Sequence, residues 1–522
     1  MSWERLINQR YITGGNESRW ADQEEIKNAL TIKKINVADD NCHGSGLPII
    51  SDGHTAYVDD SDTHSLIYGS TGSKKTRLFG MPLINIFALA GESFITTDPK
   101  GELYQKTSGL VAAKGYNTIV LNFRDLAKSS FWNPLLLPYE LYHNGKVDEA
   151  ISMLNDFLNT LAAPQRRKSN DPYFIEMAYS MALAYLLFFI ETAAPQEANI
   201  SNFANFFATH SSVDGAKEIS YWTTEGSIAS MNLKNVLTNA AAERTFCNVA
   251  SCVTVMLSPF IIRKALCQVL SKSSFDVRNI GKEKTAIYII VPDEKTTLHF
   301  LIASFIKQTY EVLICEAQQL ENKKLPVRLN FLLDEFCNIP TIPDMPSMIS
   351  AARSRNMRFF LMVQGMYQLR HKYGDEADTI KGNCDNWVFL TSREYGLLTE
   401  ISNLCGEAIY NDYEGKLKSR LLISISELQR LKKDKGEVLI LHGRHYPFVT
   451  ELPDIDDYSF NYYLANEAKE TQLPQIVPYN MCNVISEIKN KERPIPFSKE
   501  VFGRESFYSI PTATKKSDSF DW

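Results

Sequence analysis

The sequence predicts an α/β fold in which a mostly parallel sheet is interrupted by an all-α insertion. Three observations carry this. Apolar runs of strand length alternate with helical segments over 65–122 and again over 285–441, the pattern of a parallel sheet covered on both faces. Between these stretches, 140–275 shows helical apolar spacing and no convincing strand. The first apolar run passes directly into a Gly-rich turn before a helical segment begins.

Residues 1–50 are polar and mixed, and they read as an extension with a turn at Gly14-Gly15 and a short helical stretch near Asp22–Leu30. The nucleotide-binding domain is expected over 51–139 and 276–452. Its strands begin with Ser65–Tyr68, Phe94–Thr97 and Thr118–Asn122, and resume at Thr285–Val291, Leu329–Leu333, Arg358–Val363, Asn386–Leu390 and Gly436–Leu441. The insertion, 140–275, holds helical patterns at Glu149–Leu161, Pro172–Glu191 and Val253–Lys272, with an exposed connection over Ala163–Pro172. Beyond 453 the chain turns polar with scattered proline, and 453–522 reads as an irregular or partner-dependent tail.

Composition excludes whole classes. With 522 residues, 44% hydrophobic and 22% charged, the chain is neither disordered nor low-complexity and has ample material for a core. Lys+Arg 55 against Asp+Glu 61 gives a net charge of −6, so it cannot coat nucleic acid over a broad basic face. Any nucleic-acid contact is expected to be local, with Lys432, Lys433 and Lys435 as a basic group that either lines a strand path or forms a solvated helix end. The nine cysteines show no zinc-ligand spacing and sit mostly in apolar runs such as Val312-Leu-Ile-Cys315, the usage of buried thiols in a reducing cytoplasm. The N-terminus lacks a signal-like apolar region. The longest apolar helix candidate, Met177–Ile190, is short for a membrane span, so the chain as given reads as soluble.

The chemistry centres on Gly69-Ser70-Thr71-Gly72-Ser73-Lys74-Lys75-Thr76. Small residues let backbone N–H groups wrap phosphates, Lys75 can reach the β- and γ-phosphates of ATP, and the Thr76 hydroxyl can bind Mg2+. Lys74 stands where such loops carry glycine; its side chain can point to solvent if the backbone stays near helical values. A second signal is the apolar strand Leu329–Leu333 ending in Asp334-Glu335, where the first carboxylate would help hold Mg2+ and the second polarise the attacking water. Gln364 ends a later strand, where it could sense the γ-phosphate or orient water, and Arg353 precedes that strand, placed to act at a neighbouring subunit's site.

These residues, in this order, resemble the type IV secretion coupling proteins, the TraG/TraD-like conjugative DNA-transfer ATPases. The resemblance extends to Thr97-Asp-Pro-Lys-Gly-Glu-Leu-Tyr104, Ser130-Phe-Trp-Asn-Pro-Leu135, Thr285–Leu298, Leu332-Leu-Asp-Glu-Phe336, Gln368-Leu369 and Tyr373-Gly374, and covers about 60–450. It implies a RecA-like P-loop core with an inserted all-α domain and assembly into a homo-hexameric ring with ATP and Mg2+ between subunits. Arg353 matches the family's trans-acting arginine and Gln364 its sensor, while Asp98 and Lys100 belong to a family motif of unassigned role. The implied partners are single-stranded DNA with its bound relaxase, or protein substrates, and the secretion channel at the cytoplasmic face of the bacterial inner membrane. Family members usually begin with membrane-spanning helices; here none is read, so an anchor was lost, removed or is supplied by a partner.

Three functional readings are open at this stage. One is a ring ATPase that moves or delivers DNA and its attached protein. Another is a nucleotide-gated adaptor whose all-α domain recognises cargo with little turnover, which Lys74 favours and the Asp334, Glu335, Arg353 and Gln364 set opposes. A third is a relative repurposed outside conjugation.

Overall fold

A computed structural model describes residues 17–39, 42–166, 172–292, 294–411, 416–461, 463–465 and 470–481. Residues 1–16, Cys482 and the tail beyond it, and part of the 163–172 connection lie outside that set.

A short helix, Gln23–Lys27, precedes a small antiparallel sheet of β1 (Ile32–Asn36), β2 (Leu47–Ser51) and β3 (Thr55–Asp59), in the order β1-β3-β2. The expected polar extension is therefore partly structured. Ile26, Ile32, Leu47 and Ile49 enter the core, and the expected boundary at residue 50 falls inside β2.

The main sheet has nine strands: β4 (Ser65–Gly69), β5 (Ser93–Asp98), β6 (Asn117–Asn122), β7 (Thr285–Ile290), β8 (Leu329–Leu333), β9 (Met357–Val363), β10 (Asn386–Thr391), β13 (Glu437–His442) and β14 (Phe448–Glu451). Strands β11 (Glu407–Asn411) and β12 (Leu417–Leu421) form a separate hairpin. The order is β14-β13-β10-β4-β9-β8-β5-β7-β6, parallel from β10 to β6, with β13 antiparallel to both its neighbours. Strands β4, β5, β7, β8 and β9 are buried at every position, which is why each reads in the sequence as a mainly apolar stretch without alternation, its few polar residues, such as Asn330 and Arg358, being buried too.

The segment between β6 and β7 contains helices and no strand among its described residues. It hangs from one edge of the sheet, since β6 and β7 pair there. Side-chain caps start three of its helices: Asn199 before Ile200–His210, Ser212 before Val213–Trp222 and Ser227 before Ile228–Asn239. The pattern over Val253–Lys272 is not one helix. Glu243–Leu257, Pro259–Ile262 and Lys264–Val269 replace it, because Pro259 cannot donate into the preceding turn and begins a new helix instead. Residues Ala163 to Arg166, expected in an exposed connection, finish helix Val147–Arg166.

Among the described residues, two helices, Pro172–Thr192 and the stretch 296–318, are long and apolar enough to cross a membrane. Most of each is buried within the fold; Tyr185, Phe188 and Phe189 of the first pack on Phe203, Phe206 and Phe207. Among the described cysteines, Cys267, Cys384 and Cys405 are buried, but Cys247 and Cys315 are exposed, so the buried-thiol expectation fails for those two. Cys315 occupies the outward face of its helix despite the apolar run before it.

Described residues of the tail are docked on the rest of the chain. Tyr458 is buried against the small sheet, and Ser459 donates its N–H to the Gly53 carbonyl. Further on, Thr471 bonds Ala127, Gln268 bonds Pro474, and Tyr479 shares a hydroxyl bond with Thr192 while its ring packs on Phe189 and Phe206. The described part of the tail thus packs against both the sheet domain and the helices.

Candidate functional site: a phosphate loop and carboxylate pair on adjacent strands

Parallel strands align their C-terminal ends on one edge, where α/β sheets build ligand sites. Here the neighbouring order β4-β9-β8-β5 delivers, side by side, the Gly69–Thr76 loop, Gln364, Asp334-Glu335 and Asp98.

The loop leaves β4 at Gly69, where an added Cβ would lie 2.3 Å from Ser73 Oγ, so a side chain at Gly69 would collide with the turn. Gly72 turns the chain at φ +73°. Ser73 Oγ is buried with no hydrogen-bond partner, a polar atom left for a ligand at the loop's floor. Lys75 is 5% exposed; its ammonium donates to the Gly69 carbonyl and stands 3.9 Å from Glu335 Oε1. Ser70 N–H is held by the Thr391 carbonyl at 3.0 Å, tying the loop to β10. A π-helical turn over Thr76–Gly80 then leads into helix Met81–Ala90.

Lys74 departs from expectation. Its backbone does not stay near right-handed helical values but takes φ +70°, the left-handed conformation that glycine adopts freely and that costs an L-residue about 1–2 kcal/mol. The Lys74 ammonium leaves the loop altogether and pairs with Asp454 Oδ2 at 3.2 Å.

At the end of β8, Thr76 Oγ1 donates to Asp334 Oδ2 at 3.0 Å. Burial pushes the Asp334 carboxyl above its ordinary range and the Glu335 carboxylate adds to this, while Lys75 and the Thr76 hydroxyl pull the other way. A hydroxyl beside a buried carboxylate is a fitting pair of hard oxygen donors for Mg2+, which takes one or two protein carboxylates and completes its shell with phosphates and water. No larger cluster of metal-ligating side chains exists among the described residues.

Glu335 also has a left-handed backbone, φ +51°. Its side chain accepts hydrogen bonds from Gln364 Nε2 at 2.7 Å and Asn338 Nδ2 at 3.4 Å, both on Oε2. Gln364 is aimed by the next residues: Glu394 accepts the N–H groups of Met366 and Tyr367 at 2.8 and 2.9 Å and fixes how the chain leaves β9.

The Asp98 motif acquires a structural role. Asp98 ends β5, is 2% exposed and accepts the Tyr104 N–H at 2.8 Å, at the start of helix Glu102–Ala113; Gly101, at φ +78°, makes the bend between them. Burial raises the Asp98 carboxyl to about 6. Thr97, unremarked in sequence beyond its motif, donates to the Asp334 carbonyl at 2.8 Å and locks β5 to β8 beside the carboxylates. Lys100 is exposed.

Arg353 does not join this cluster. It lies in the turn before β9, at the opposite edge of the sheet from Gln364, half-exposed and paired with Asp385 at 2.9 Å. Lys433 approaches from another side: its ammonium is 3.8 Å from where a Cβ on Gly72 would sit. Asn338 and Asp454 were invisible as site residues because each is an ordinary polar residue outside any motif, and Lys433, read as part of a basic group for a nucleic-acid strand or a solvated helix end, lies beside the phosphate loop instead.

The family model described as type IV secretory system conjugative DNA transfer matches residues 19–437. The chain belongs to this family. Among curated relatives, protein VirD4 of Rhizobium radiobacter is 23% identical over 478 residues, covering 85% of this chain and 64% of its own length. Protein VirD4 of Rhizobium rhizogenes is 23% identical over 462 residues, with 82% and 63% covered. The chain thus spans less than two thirds of these relatives. Plasmid coupling protein TrwB, solved with a non-hydrolysable ATP analogue and with ADP and Mg2+, superposes with TM-scores of 0.60 and 0.59 at 14% identity. Those superpositions cover 89% and 88% of this chain and 98% and 97% of TrwB. At that identity the likeness establishes the RecA-like P-loop fold.

Proposed function

We propose that this family member is a ring-forming ATPase that couples a relaxase-bound DNA or protein substrate to a type IV secretion channel at the cytoplasmic face of the inner membrane. The observation that carries the catalytic part is the convergence of Lys75, the Thr76–Asp334 pair and the Glu335–Gln364 pair at the ends of three adjacent strands. Lys75 binds the β- and γ-phosphates, with the loop N–H groups around them. Thr76 and Asp334 hold Mg2+, which when bound neutralises charge on the phosphates. Glu335 accepts a proton from the attacking water, and Gln364 orients Glu335 or the γ-phosphate. Arg353, at the far sheet edge, completes a neighbouring subunit's site in a homo-hexamer.

The test is ATP hydrolysis by the purified chain with and without single-stranded DNA, beside Lys75→Ala. Turnover stimulated by DNA and abolished by Lys75→Ala is expected. The adaptor reading draws on the strained Lys74 backbone. Nucleotide binding without turnover, in assembled rings, would favour it over the motor.

A further inference from the structure

The segment after β14 reaches the phosphate loop with two carboxylates. Arg77 Nε donates to both oxygens of Asp454, at 2.7 and 3.0 Å, and its guanidinium also pairs with Asp456. The second partner of Asp454 is Lys74, at 3.2 Å. Asp454 is well shielded, with a side chain 17% exposed, and two cations converge on it. Burial would raise its carboxyl, but hydrogen bonds from Arg77 and Lys74 outweigh this and hold it below the ordinary range.

The loop therefore contains two adjacent lysines with opposite assignments. Lys75 is directed inward, to the Gly69 carbonyl and Glu335. Lys74, immediately before it, is directed outward by a residue 380 positions later. An ammonium on a flexible four-carbon stem would otherwise be free to compete for the same anions as Lys75.

We propose that Asp454 is a positioning residue of the nucleotide site, holding the Lys74 ammonium off the phosphates and so making lysine workable where phosphate loops carry glycine. The proposal rests on nucleotide binding at this loop. Asp454 does not touch the nucleotide; it acts through Lys74. Releasing Lys74 gives the phosphates a second ammonium, so the product would be bound more tightly and leave more slowly. Asp456 remains to hold Arg77 when Asp454 is changed.

The experiment is a double-mutant cycle on the full chain, with a fluorescent ADP analogue as probe. Asp454→Asn is expected to lower the Kd for ADP about tenfold and to reduce kcat in parallel. In the Lys74→Gly background the same substitution should change the ADP Kd less than twofold. Asp454→Glu should return the original Kd. Equal effects of Asp454→Asn in both backgrounds, or none in either, would overturn the proposal, because a merely structural role through Arg77 predicts no dependence on Lys74. If Asp454→Asn fails to fold, the ADP Kd of Asp454→Ser in the two backgrounds decides: tighter binding confined to the Lys74 chain supports the proposal, and equal or absent change in both refutes it. Failure of the underlying reading looks different, as an original chain that binds ADP no better than Lys75→Ala.

Discussion

Glu335 shows how much one side chain's surroundings decide. Its neighbour Asp334 is the more deeply buried and is bonded to Thr76, whereas Glu335 is a quarter exposed and takes its bonds from Gln364 and Asn338. Two adjacent carboxylates thus have separate partners, one suited to hold a cation and one free to accept a proton. Glu335→Gln keeps the shape and a hydrogen bond to Gln364 but removes the proton acceptor. The variant should bind ATP within about threefold of the original and lose hydrolysis by roughly 10²-fold or more, the scale of a general base. Phosphate release measured beside binding of a fluorescent ATP analogue separates the two. Undiminished turnover would reject the role. Asp334, Glu335 and Gln364 were legible because each follows an apolar run, where a strand's direction places a side chain at the ligand edge, and Lys75 and Thr76 because they close a Gly/Ser-rich loop of phosphate-binding pattern. Lys74 was half legible: the departure from glycine is plain in the sequence, but its remedy is not, since nothing local marks Asp454 as its partner.

At the level of the strand, burial at either end shifts titration. Asp98, at the end of β5, has its carboxyl raised to about 6 by burial, while His64, just before β4, is lowered by burial to about 4. His64 is neutral in the fold, its Nε2 donating to the Ile349 carbonyl at 2.7 Å and its Nδ1 accepting the Phe359 N–H at 3.0 Å. The two groups pull stability in opposite directions. Between pH 3.8 and 6 the unfolded chain has lost the Asp98 proton that the fold retains, so stability falls with rising pH, by about 3 kcal/mol in all. Between pH 4 and 6.5 the unfolded chain binds a His64 proton that the fold refuses, so stability rises with pH by about 3 kcal/mol. Their sum is nearly flat over the shared window. Asp98→Asn keeps an acceptor for the Tyr104 N–H and removes one side of the balance. Its stability relative to the original should be unchanged near pH 4 and greater by about 3 kcal/mol above pH 6. Urea midpoints of nucleotide-free protein in a chelator give this directly, and a difference independent of pH would contradict the assignment. The strands that carry these groups were readable as apolar runs. The first small sheet was not, because β1 shows the burial pattern of an edge, with Lys33 and Lys34 both exposed between Ile32 and Ile35. The β11–β12 hairpin is mostly exposed and offers no core-facing alternation to read.

Across the whole molecule, the two edges of the sheet have different tasks. The C-terminal edge gathers the phosphate loop and carboxylates, and the tail crosses from that edge at Asp454 to the helical domain at Tyr479. The N-terminal edge holds a buried charge network, in which Arg358 binds Glu92 at 2.7 Å and Asn330 at 2.8 Å, and Arg328 reaches Asp62 and Glu92. Arg353 belongs to this second edge, with the seven residues of β9 between it and Gln364, or about 20 Å of strand. No side chain spans that distance, so an arginine with a catalytic task here must serve another copy of the chain. Its pairing with Asp385 is half-exposed and costs little to break. If each site is built from two subunits, Arg353→Ala chains lack only the arginine they lend, and Lys75→Ala chains lack only their own loop lysine. Each variant alone should be inactive. Mixed in equal amounts and co-assembled, some interfaces pair an intact loop with an intact arginine, and ATP hydrolysis should recover to a measurable fraction of the original rate. Absence of recovery despite demonstrated co-assembly would place the arginine's function within its own chain, against the geometry of β9, or show that Arg353 has no part in the reaction.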